Sequence, residues 1–320
     1  MKILVTGGAG FIGSHLLPLL LAQGHRVTVV DNLSTGCREY VPSEARLAVI
    51  DVRSSALAEL MQRESFEAVV HLAAQTQVSV SMEKPCLDAD ENVMGTVNLL
   101  EASRKSGVKR IVLASSAAVY GEISVTELPL KEDMEARPLS FYGLTKLTGE
   151  NYLSMYQRNF GLDFVGLRFS NVYGERQGNG GEGGVISIFA KAAAQGRGLK
   201  IYGNGDQTRD FIYAGDIAAG ISAALITDNV NTIYNLGTST ETSINEVAAR
   251  LSRLSGTPLL LQHLPSREGD IRRSCLSNTR ARQGLGWKPM VTVPDGLCRT
   301  YNYFAAQEKI YMDTQSRKMA

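Results

Sequence analysis

Three glycines, at positions 7, 10 and 13, constrain the fold of this chain more than any other feature of its sequence. They lie between an apolar run at residues 3–6 and a helical pattern at residues 11–23. At such a strand-to-helix turn, the first glycine permits the tight turn, the second lets a ligand approach the backbone, and the third lets helix and strand pack closely. Because the first N–H groups of a helix attract anions, the turn is predicted to bind phosphate.

Short apolar runs alternate with helical patterns through the first two-thirds of the chain. This order predicts a doubly wound α/β protein, in which helices cover both faces of a parallel sheet in the Rossmann arrangement. The strands are apolar throughout, as expected when both faces of a sheet are buried. Pro18 lies inside the first predicted helix and should kink or shift it locally rather than abolish it. The predicted strands are residues 3–6, 26–30, 47–50, 68–71, 110–114 and 164–169, and the predicted helices are 11–23, 89–106 and 142–159.

The alternation loosens after residue 170, which predicts an interleaved organisation. We assign residues 1–170 to the Rossmann domain, with 211–240 returning to it. Residues 171–210 and 241–312 are expected to form a smaller substrate-binding part, and residues 313–320 a peripheral tail. The glycine-rich stretch at 178–184 (GNGGEGG) predicts a mobile loop.

Composition excludes several classes of function. The 33 basic and 32 acidic side chains leave a net charge of +1, which gives no electrostatic basis for binding nucleic acid or a membrane surface. The four cysteines form no C-x-x-C pair, so neither a disulfide framework nor a metal site is expected, and reduced thiols indicate a cytoplasmic protein. No apolar run approaches the ~20 residues that a membrane span needs.

Asp31 provides a second signal at the glycine turn. It follows the second predicted strand, where an acid of a dinucleotide-binding unit accepts hydrogen bonds from the adenosine ribose. Its charge would repel a 2′-phosphate, so the predicted cofactor is NAD rather than NADP. Asp51 and Val52, after the third predicted strand, are expected beside the adenine.

Tyr142 and Lys146 are four residues apart and share one face of a predicted helix. A nearby ammonium should favour the phenolate and lower the tyrosine pKa, which would suit a base that takes a proton from an alcohol. Ser116 follows an apolar strand at the sheet edge where ligands bind, and its hydroxyl could relay the same proton. Each of these signals is common on its own. The spacing of Tyr142 and Lys146 also fits a surface helix, and Ser116 also fits a polar cap at the end of a strand. Their order after the glycine turn and Asp31 favours a catalytic site.

A longer series of motifs contains these residues: TGGAGFIG at 6–13, HLAA at 71–74, NVMGT at 92–96, SSAAVYG at 115–121, YGLTK at 142–146, NVYG at 171–174, GNGDQTRDFIY at 203–213, REGD at 267–270 and LGWKP at 285–289. In this combination the sequence resembles the NAD-dependent epimerase/dehydratase family of extended short-chain dehydrogenases, most closely the UDP-glucose 4-epimerases. The resemblance implies bound NAD, a UDP-hexose substrate epimerised through a 4-keto intermediate, and a homodimer formed through two helices of each subunit.

The resemblance also implies roles for individual residues. Ser116, Tyr142 and Lys146 match the catalytic residues of the family. The predicted cofactor-binding residues are Gly7, Gly10, Phe11, Ile12, Gly13, Asp31, Asn32, Asp51, Val52, Leu72, Ala73, Ala74, Asn92, Tyr142 and Lys146. The predicted substrate-binding residues are Ser116, Tyr142, Asn171, Val185, Arg209, Arg267, Asp270 and Ser274, with the two arginines on the UDP phosphates.

Other reactions and roles within the family are less consistent with the sequence. Sugar 4,6-dehydratases and UDP-glucuronate decarboxylases resemble this chain but carry carboxyl side chains where it has Ala117 and Ala118. A non-catalytic NAD-binding regulator would typically lack the tyrosine or lysine of the YGLTK motif, and both are present.

Two positions bear on sugar size. Ser170 replaces a phenylalanine common among the 4-epimerases, and Thr76 replaces a lysine found in some. Ser274, seven residues after Arg267, stands where a tyrosine would restrict the sugar pocket. The smaller serine predicts that UDP-N-acetylglucosamine and UDP-N-acetylgalactosamine are accepted as well.

Overall fold

The structure is a computed structural model that describes residues 1–122, 124–178, 183–256, 258–266 and 271–319. Most of the predicted loop at 178–184, together with Arg267 and Asp270, therefore lies outside the described residues.

Strands occur along the whole described chain. They are β1 (Lys2–Thr6), β2 (Arg26–Asp31), β3 (Arg46–Val49), β4 (Ala68–His71), β5 (Arg110–Ser116), β6 (Asp163–Phe169), β7 (Asn171–Tyr173), β8 (Leu199–Tyr202), β9 (Thr208–Arg209), β10 (Phe211–Tyr213), β11 (Thr232–Leu236), β12 (Thr242–Ser243) and β13 (Leu261–Leu264).

Helices alternate with these strands. They are α1 (Phe11–Ala22), α2 (Ser55–Glu64), α3 (Val78–Glu83), α4 (Pro85–Ala89), α5 (Gly95–Ser106), α6 (Phe141–Phe160), α7 (Val185–Ala194), α8 (Ala214–Ile226), α9 (Ile244–Leu254), α10 (Thr279–Leu285) and α11 (Val293–Met319).

Seven of the strands form one parallel sheet, in the spatial order β11-β6-β5-β4-β1-β2-β3. Side chains alternate between its two faces, because successive residues of a strand point in opposite directions. In β1, Ile3 and Val5 pack in the apolar cluster that α1 and α8 cover, whereas Leu4 packs in the cluster under α2, α5 and α6. The predicted doubly wound Rossmann arrangement is confirmed.

Helix α1 continues through Pro18, whose side chain is exposed. Proline has no N–H, so the carbonyl of Ser14 lacks the hydrogen bond that position 18 would normally donate. Arg176 takes that place: its guanidinium donates to the Ser14 carbonyl at 3.4 Å and to the Ser14 hydroxyl at 2.7 Å. The proline therefore leaves an acceptor that joins the glycine-turn helix to the loop after β7.

The helix predicted at 89–106 is present, but it begins earlier, at Pro85, and is not a regular α-helix throughout. Helix α4 ends at Ala89, a wider π-helical turn spans Asp90–Met94, and α5 then begins at Gly95. From α5, the Thr96 hydroxyl donates to the carbonyl of Asn92 in this turn at 2.5 Å. Such side-chain bonds compete with the regular helical pattern, and helical periodicity alone did not reveal them.

A second, smaller core lies beside the sheet. It is built from α7, α9 and α11 around residues such as Phe189, Val247 and Leu297. Strand pairs β8–β13, β9–β12 and β7–β10 border it. Trp287, beyond α10, packs instead in the main core and donates its indole N–H to the carbonyl of Asp216 at 2.9 Å. The division into domains remains a prediction.

The chain beyond Ala305 is helical, since α11 extends to Met319. Among the described residues, no helix combines the length and apolar character that crossing a membrane would require. Within the same residues, His, Cys, Asp and Glu side chains form no group of three or more suited to a metal ion.

Candidate active site

A cavity of about 1190 Å³ opens at the carboxyl ends of the central strands and extends to the smaller core. This edge is where ligands bind in open parallel sheets. Most of the predicted site residues line it: Gly7, Gly10, Phe11, Ile12, Gly13, Asp31, Asn32, Asp51, Val52, Leu72, Ala73, Ala74, Ser116, Tyr142, Lys146, Asn171, Val185 and Arg209.

The glycine turn fits a dinucleotide for steric reasons. Gly7 has a φ of +67°, and a Cβ there would lie 2.5 Å from the backbone nitrogen of Ala73. A Cβ on Gly13 would lie 2.2 Å from the carbonyl oxygen of Gly8. At Gly10, the nearest atom to an added Cβ is the Gly7 carbonyl oxygen, at 3.1 Å, and the residue lines the cavity. The cavity therefore reaches the backbone at the N-terminus of α1, where the first helical N–H groups attract anions such as a pyrophosphate.

Asp31 lies at the end of β2 with its carboxylate held in place. Its oxygens accept hydrogen bonds from the backbone N–H of Ala9 at 3.0 Å and of Leu33 at 2.8 Å. Burial raises the pKa of Asp31, and these two hydrogen bonds oppose the rise. The side chain therefore fixes the glycine turn and retains acceptor capacity at the cavity wall.

Asp51 and Asn32 form the far wall of this end of the cavity. The Asn32 amide donates to Asp51 at 3.0 Å, and the Arg53 guanidinium donates twice to the same carboxylate at 2.7 and 2.8 Å. This pairing holds the pKa of Asp51 well below its usual range. Val52 lines the cavity between them, as expected for a contact with a flat base.

Asn92 is the predicted cofactor residue that the structure keeps away from the cavity. It is buried in the π-helical turn, and its amide is fully used within the protein. The Nδ2 group donates to Thr145 and Asp88, both at 3.1 Å, while Oδ1 accepts from the backbone of Gln75 at 2.8 Å. The sequence motif placed Asn92 near the site, but the wider turn directs its side chain under α6.

Helix α6 brings Tyr142 to Ser116. The Ser140 hydroxyl caps the helix by accepting from the N–H of Gly143 at 3.1 Å. A Cβ on Gly143 would lie 2.5 Å from the carbonyl oxygen of Ala118, so only glycine lets the helix approach the segment after β5 this closely. The predicted base Tyr142 and the predicted proton relay Ser116 both line the cavity at this point.

The predicted low pKa of Tyr142 is not what the structure shows. Burial raises the pKa of Tyr142, the nearby Ser116 hydroxyl lowers it, and the charge of Asp88 raises it. The ammonium of Lys146 lies 5.8 Å from the centre of the tyrosine ring and donates to the Ala114 carbonyl at 3.0 Å. Burial lowers the pKa of Lys146 to about 8. Helical spacing alone could not predict how strongly burial opposes both charges.

The other end of the cavity contains the polar groups that the sequence predicts for the substrate. Strand β7 pairs with β10, and the backbone N–H of Asn171 donates to the carbonyl of Asp210 at 2.9 Å, which brings Asn171 near Arg209. Arg209 itself donates to the carbonyl of Thr208 at 2.8 Å and lines the cavity. Val185, at the beginning of α7, supplies an apolar wall.

Ser274 does not reach this cavity. The residue is buried and absent from the cavity wall, whereas Ile271 is part of it. The chain around it is held by bridges of Arg273 to Thr208 and of Leu276 to Leu130. Counting from a motif gives a position along the chain, not the direction of its side chain, so Ser274 gives no support to a larger sugar pocket, and acceptance of N-acetylated sugars stays a prediction.

Several cavity residues were not predicted from the sequence. Arg176 and Gln177 lie two and three residues after the NVYG motif, Tyr202 precedes GNGDQTRDFIY and Ile271 follows REGD, so the motif borders were the available signal. The others came from segments without a motif. They include Tyr40, Ile188, Phe189 and Lys200.

Known proteins share this arrangement over nearly the whole chain. The chain matches the NAD dependent epimerase/dehydratase family over residues 3–237. It is 40% identical over 310 residues to the UDP-glucose 4-epimerase of Mycolicibacterium smegmatis, which covers 95% of this chain and 98% of that relative. The structure of the UDP-glucose 4-epimerase of Thermotoga maritima with UDP-glucose superposes with a TM-score of 0.93 at 37% identity, covering 96% of this chain and 100% of that one. The Thermus thermophilus UDP-glucose 4-epimerase in complex with NAD has a TM-score of 0.90 at 40% identity, covering 95% and 99%.

Proposed function

Because the chain belongs to the NAD-dependent epimerase/dehydratase family, we propose that it is a UDP-hexose 4-epimerase that interconverts UDP-glucose and UDP-galactose. One observation carries the proposal. Ser116, Tyr142 and Lys146 line one cavity together with the glycine turn and Asp31.

The cofactor is NAD, and the residues at the glycine turn and at Asp31 fit it. When bound, it supplies the hydride acceptor and donor at carbon 4 of the sugar. The N–H groups of the first turn of α1 would hold its phosphates, and Asp31 would accept hydrogen bonds from the adenosine ribose. The Lys146 ammonium would hold the second ribose.

Tyr142 and Ser116 handle the proton. Tyr142 takes it from the 4-hydroxyl of the sugar as the carbon–hydrogen bond breaks, and Ser116 holds the same oxygen by a hydrogen bond. Arg209 and Asn171 hold the diphosphate end, so that the 4-keto sugar can turn while it stays anchored. Tyr142 then returns the proton to the oxygen of the inverted sugar. Atoms and electrons balance over the cycle, because no net oxidation occurs.

The position of the acids favours epimerisation over dehydration or decarboxylation. Among the described residues, the carboxylates that line the cavity are Asp31, Asp51 and Glu91. All three lie at the predicted adenosine end: Asp31 ends β2, Asp51 pairs with Arg53, and burial raises the pKa of Glu91 while the charge of Arg53 opposes the rise. No described carboxylate lines the cavity beside Ser116, where a dehydratase would need one to act on carbon 5.

The substrate is tested by a screen of purified protein against UDP-glucose, UDP-galactose, their N-acetylated forms and UDP-glucuronate. We expect conversion of the first two into each other without added cofactor. Turnover of the N-acetylated pair would show that the pocket is larger than the hexose alone requires. Formation of a 4-keto-6-deoxy sugar would instead indicate a dehydratase. Loss of carbon dioxide from UDP-glucuronate would indicate a decarboxylase.

The purified protein is expected to carry NAD and to discriminate against NADP. The buried Asp31 carboxylate would repel a 2′-phosphate, so Asp31→Asn should reduce the preference for NAD over NADP. Asp228→Asn, on the surface, should leave this preference unchanged. The measurement is the nucleotide released on denaturation, together with the affinity for each cofactor. Release of NADP, or tighter binding of it by the parent protein, would contradict the role of Asp31.

Arg209→Ala is expected to weaken UDP binding about 10–100-fold, because a lost charged contact costs roughly 1.5–3 kcal/mol. NAD content should not change, since Arg209 lies at the opposite end from the glycine turn. Arg197→Ala is the matched control, because this exposed arginine lies outside the cavity wall. Titration with UDP measures the effect. Equal affinities in the two variants would place the diphosphate elsewhere.

A homodimer is the expected assembly. Helix α6 exposes an apolar stripe that includes Leu144, Tyr152 and Met155, which its spacing of eight and three residues places on one face. Sedimentation should give the mass of two chains, and Met155→Glu should shift the protein towards the monomer. A monomeric parent protein at micromolar concentration would contradict this assignment. The cytoplasmic location also remains a prediction.

A further inference from the structure

Asp88 is a buried acid directly beneath α6, the helix that contains Tyr142 and Lys146. It lies in α4, is 0% exposed, and is absent from the cavity wall. Its carboxylate accepts hydrogen bonds from the side chains of Gln75 at 2.7 Å, Asn92 at 3.1 Å and Thr145 at 2.9 Å. A buried carboxylate is costly unless such donors compensate it, so this arrangement requires an explanation.

The three donors come from three separate segments of the site. Thr145 lies between Tyr142 and Lys146 in α6, and its hydroxyl donates to Asp88 while it accepts from Asn92 at 3.1 Å. Asn92 belongs to the π-helical turn. Gln75 follows the cavity-lining residues 72–74. The Asp88 carboxylate thus fixes α6 against the π-helical turn and against the segment after β4, both of which border the predicted cofactor region.

The charge of Asp88 also acts on both catalytic groups. It raises the pKa of Tyr142, and it raises the pKa of Lys146 against the larger lowering by burial. Glu150, one turn further along α6, acts on Lys146 in the same direction as Asp88.

Two further titratable groups face this cluster. His71 on β4 is neutral, because burial and the charge of Lys146 lower its pKa to about 3. Glu91 in the π-helical turn has a pKa raised by burial and, among smaller effects, by Asp88. Neither group supplies a positive charge that could replace the effect of Asp88 on Lys146.

We propose that Asp88 is a positioning residue that holds the turn from Tyr142 to Lys146 in register with Ser116 and keeps the buried Lys146 ammonium protonated during turnover. The inference rests on the proposed epimerase function, since it concerns the same three residues. It assigns a role to a group that touches neither substrate nor cofactor.

Asp88→Asn tests the electrostatic part. Without the negative charge, the Lys146 ammonium and the neutral Tyr142 phenol both become less stable, so both pKa values fall. Both limbs of the pH profile of kcat/KM should therefore move to lower pH, by roughly 0.5–1 unit, whichever group each limb reports. The expected pH shift is smaller than for two charged groups in contact, because Asp88 acts on Lys146 without a direct hydrogen bond.

Asp216→Asn is the matched control. Asp216 is also a buried carboxylate, but it accepts from the backbone N–H groups of Met290 and Val291, both at 3.0 Å, away from the cavity. Loss of the Asp216 charge should lower Tm without shifting either limb of the pH profile of kcat/KM. If Asp88→Asn behaves in the same way, with a lower Tm and unmoved limbs, the role is structural only and the proposal is wrong.

Thr145 provides a second test that does not depend on the folding of Asp88→Asn. Thr145→Val removes the hydroxyl that joins α6 to Asp88 and should lower kcat at least tenfold with little change in KM. Thr145→Ser keeps the hydroxyl and should restore most of kcat. Similar rates in the two variants would contradict the positioning role. A parent protein that turns over no nucleotide sugar would contradict the proposed function instead, which separates the two failures.

Discussion

Tyr142→Phe is expected to reduce epimerase turnover about 10²–10⁴-fold, the usual contribution of a general acid–base group. Phenylalanine keeps the ring that packs beside Ser116 but cannot accept or return a proton. NAD should stay bound, because the glycine turn and Asp31 are unchanged. The measurements are kcat with UDP-galactose and the NAD content of the same preparation.

Tyr156→Phe is the control for this prediction. Tyr156 lies on the same helix, and its hydroxyl contacts Glu101 at 3.3 Å rather than the cavity. Its loss should leave kcat within a factor of two or so of the parent value, as usual for a surface substitution. Should Tyr142→Phe retain a comparable rate, another group must handle the proton.

Glu150→Gln is expected to lower the free energy of unfolding by about 3–5 kcal/mol, because it leaves a buried guanidinium without its counter-ion. Glu150 and Arg168 are both buried, and the guanidinium donates to the two carboxylate oxygens at 2.7 and 3.0 Å. Arg168 also lies over the ring of Tyr120, 4.7 Å from its centre. Denaturant unfolding monitored by circular dichroism measures the loss.

Glu101→Gln is the comparison for this change. Glu101 pairs with Arg104 one turn away on α5, and both side chains are partly exposed to water. Solvent screens such a pair, so the variant should unfold close to the parent midpoint. Similar losses in the two variants would mean that the buried pair contributes no more than a surface pair.

Much of the central sheet could be predicted from the sequence. Continuous apolar runs define strands that are buried on both faces, and the glycine turn identifies the first strand and its helix. All six predicted strands are present, with ends that differ by at most two residues, as for β5, which continues to Ser116. The spatial order of the strands could not be read from these runs, because pairing depends on contacts between distant segments.

The composition of the site was predictable where a residue's type alone decides its role. Gly7, Asp31 and Tyr142 all reach the cavity as expected. The sequence did not predict features that depend on the direction of a side chain or on its burial in the fold. Asn92 turns away because a π-helical turn interrupts the predicted helix.

Asp88 went unnoticed because nothing in the local sequence shows that it is buried under α6. The same limit applies to the protonation of the catalytic groups. The pKa of Lys146 falls to about 8 through burial, an effect that depends on the folded surroundings rather than on residue spacing.

The most direct test of the central claim follows a hydrogen isotope at carbon 4. UDP-galactose that carries deuterium at this carbon is incubated with the purified protein in ordinary water, without added cofactor, and the product is analysed by NMR. We expect UDP-glucose that retains deuterium at carbon 4, because the hydride leaves the sugar and returns to it within one closed site. Loss of the label to solvent, or no conversion of UDP-galactose at all, would contradict it.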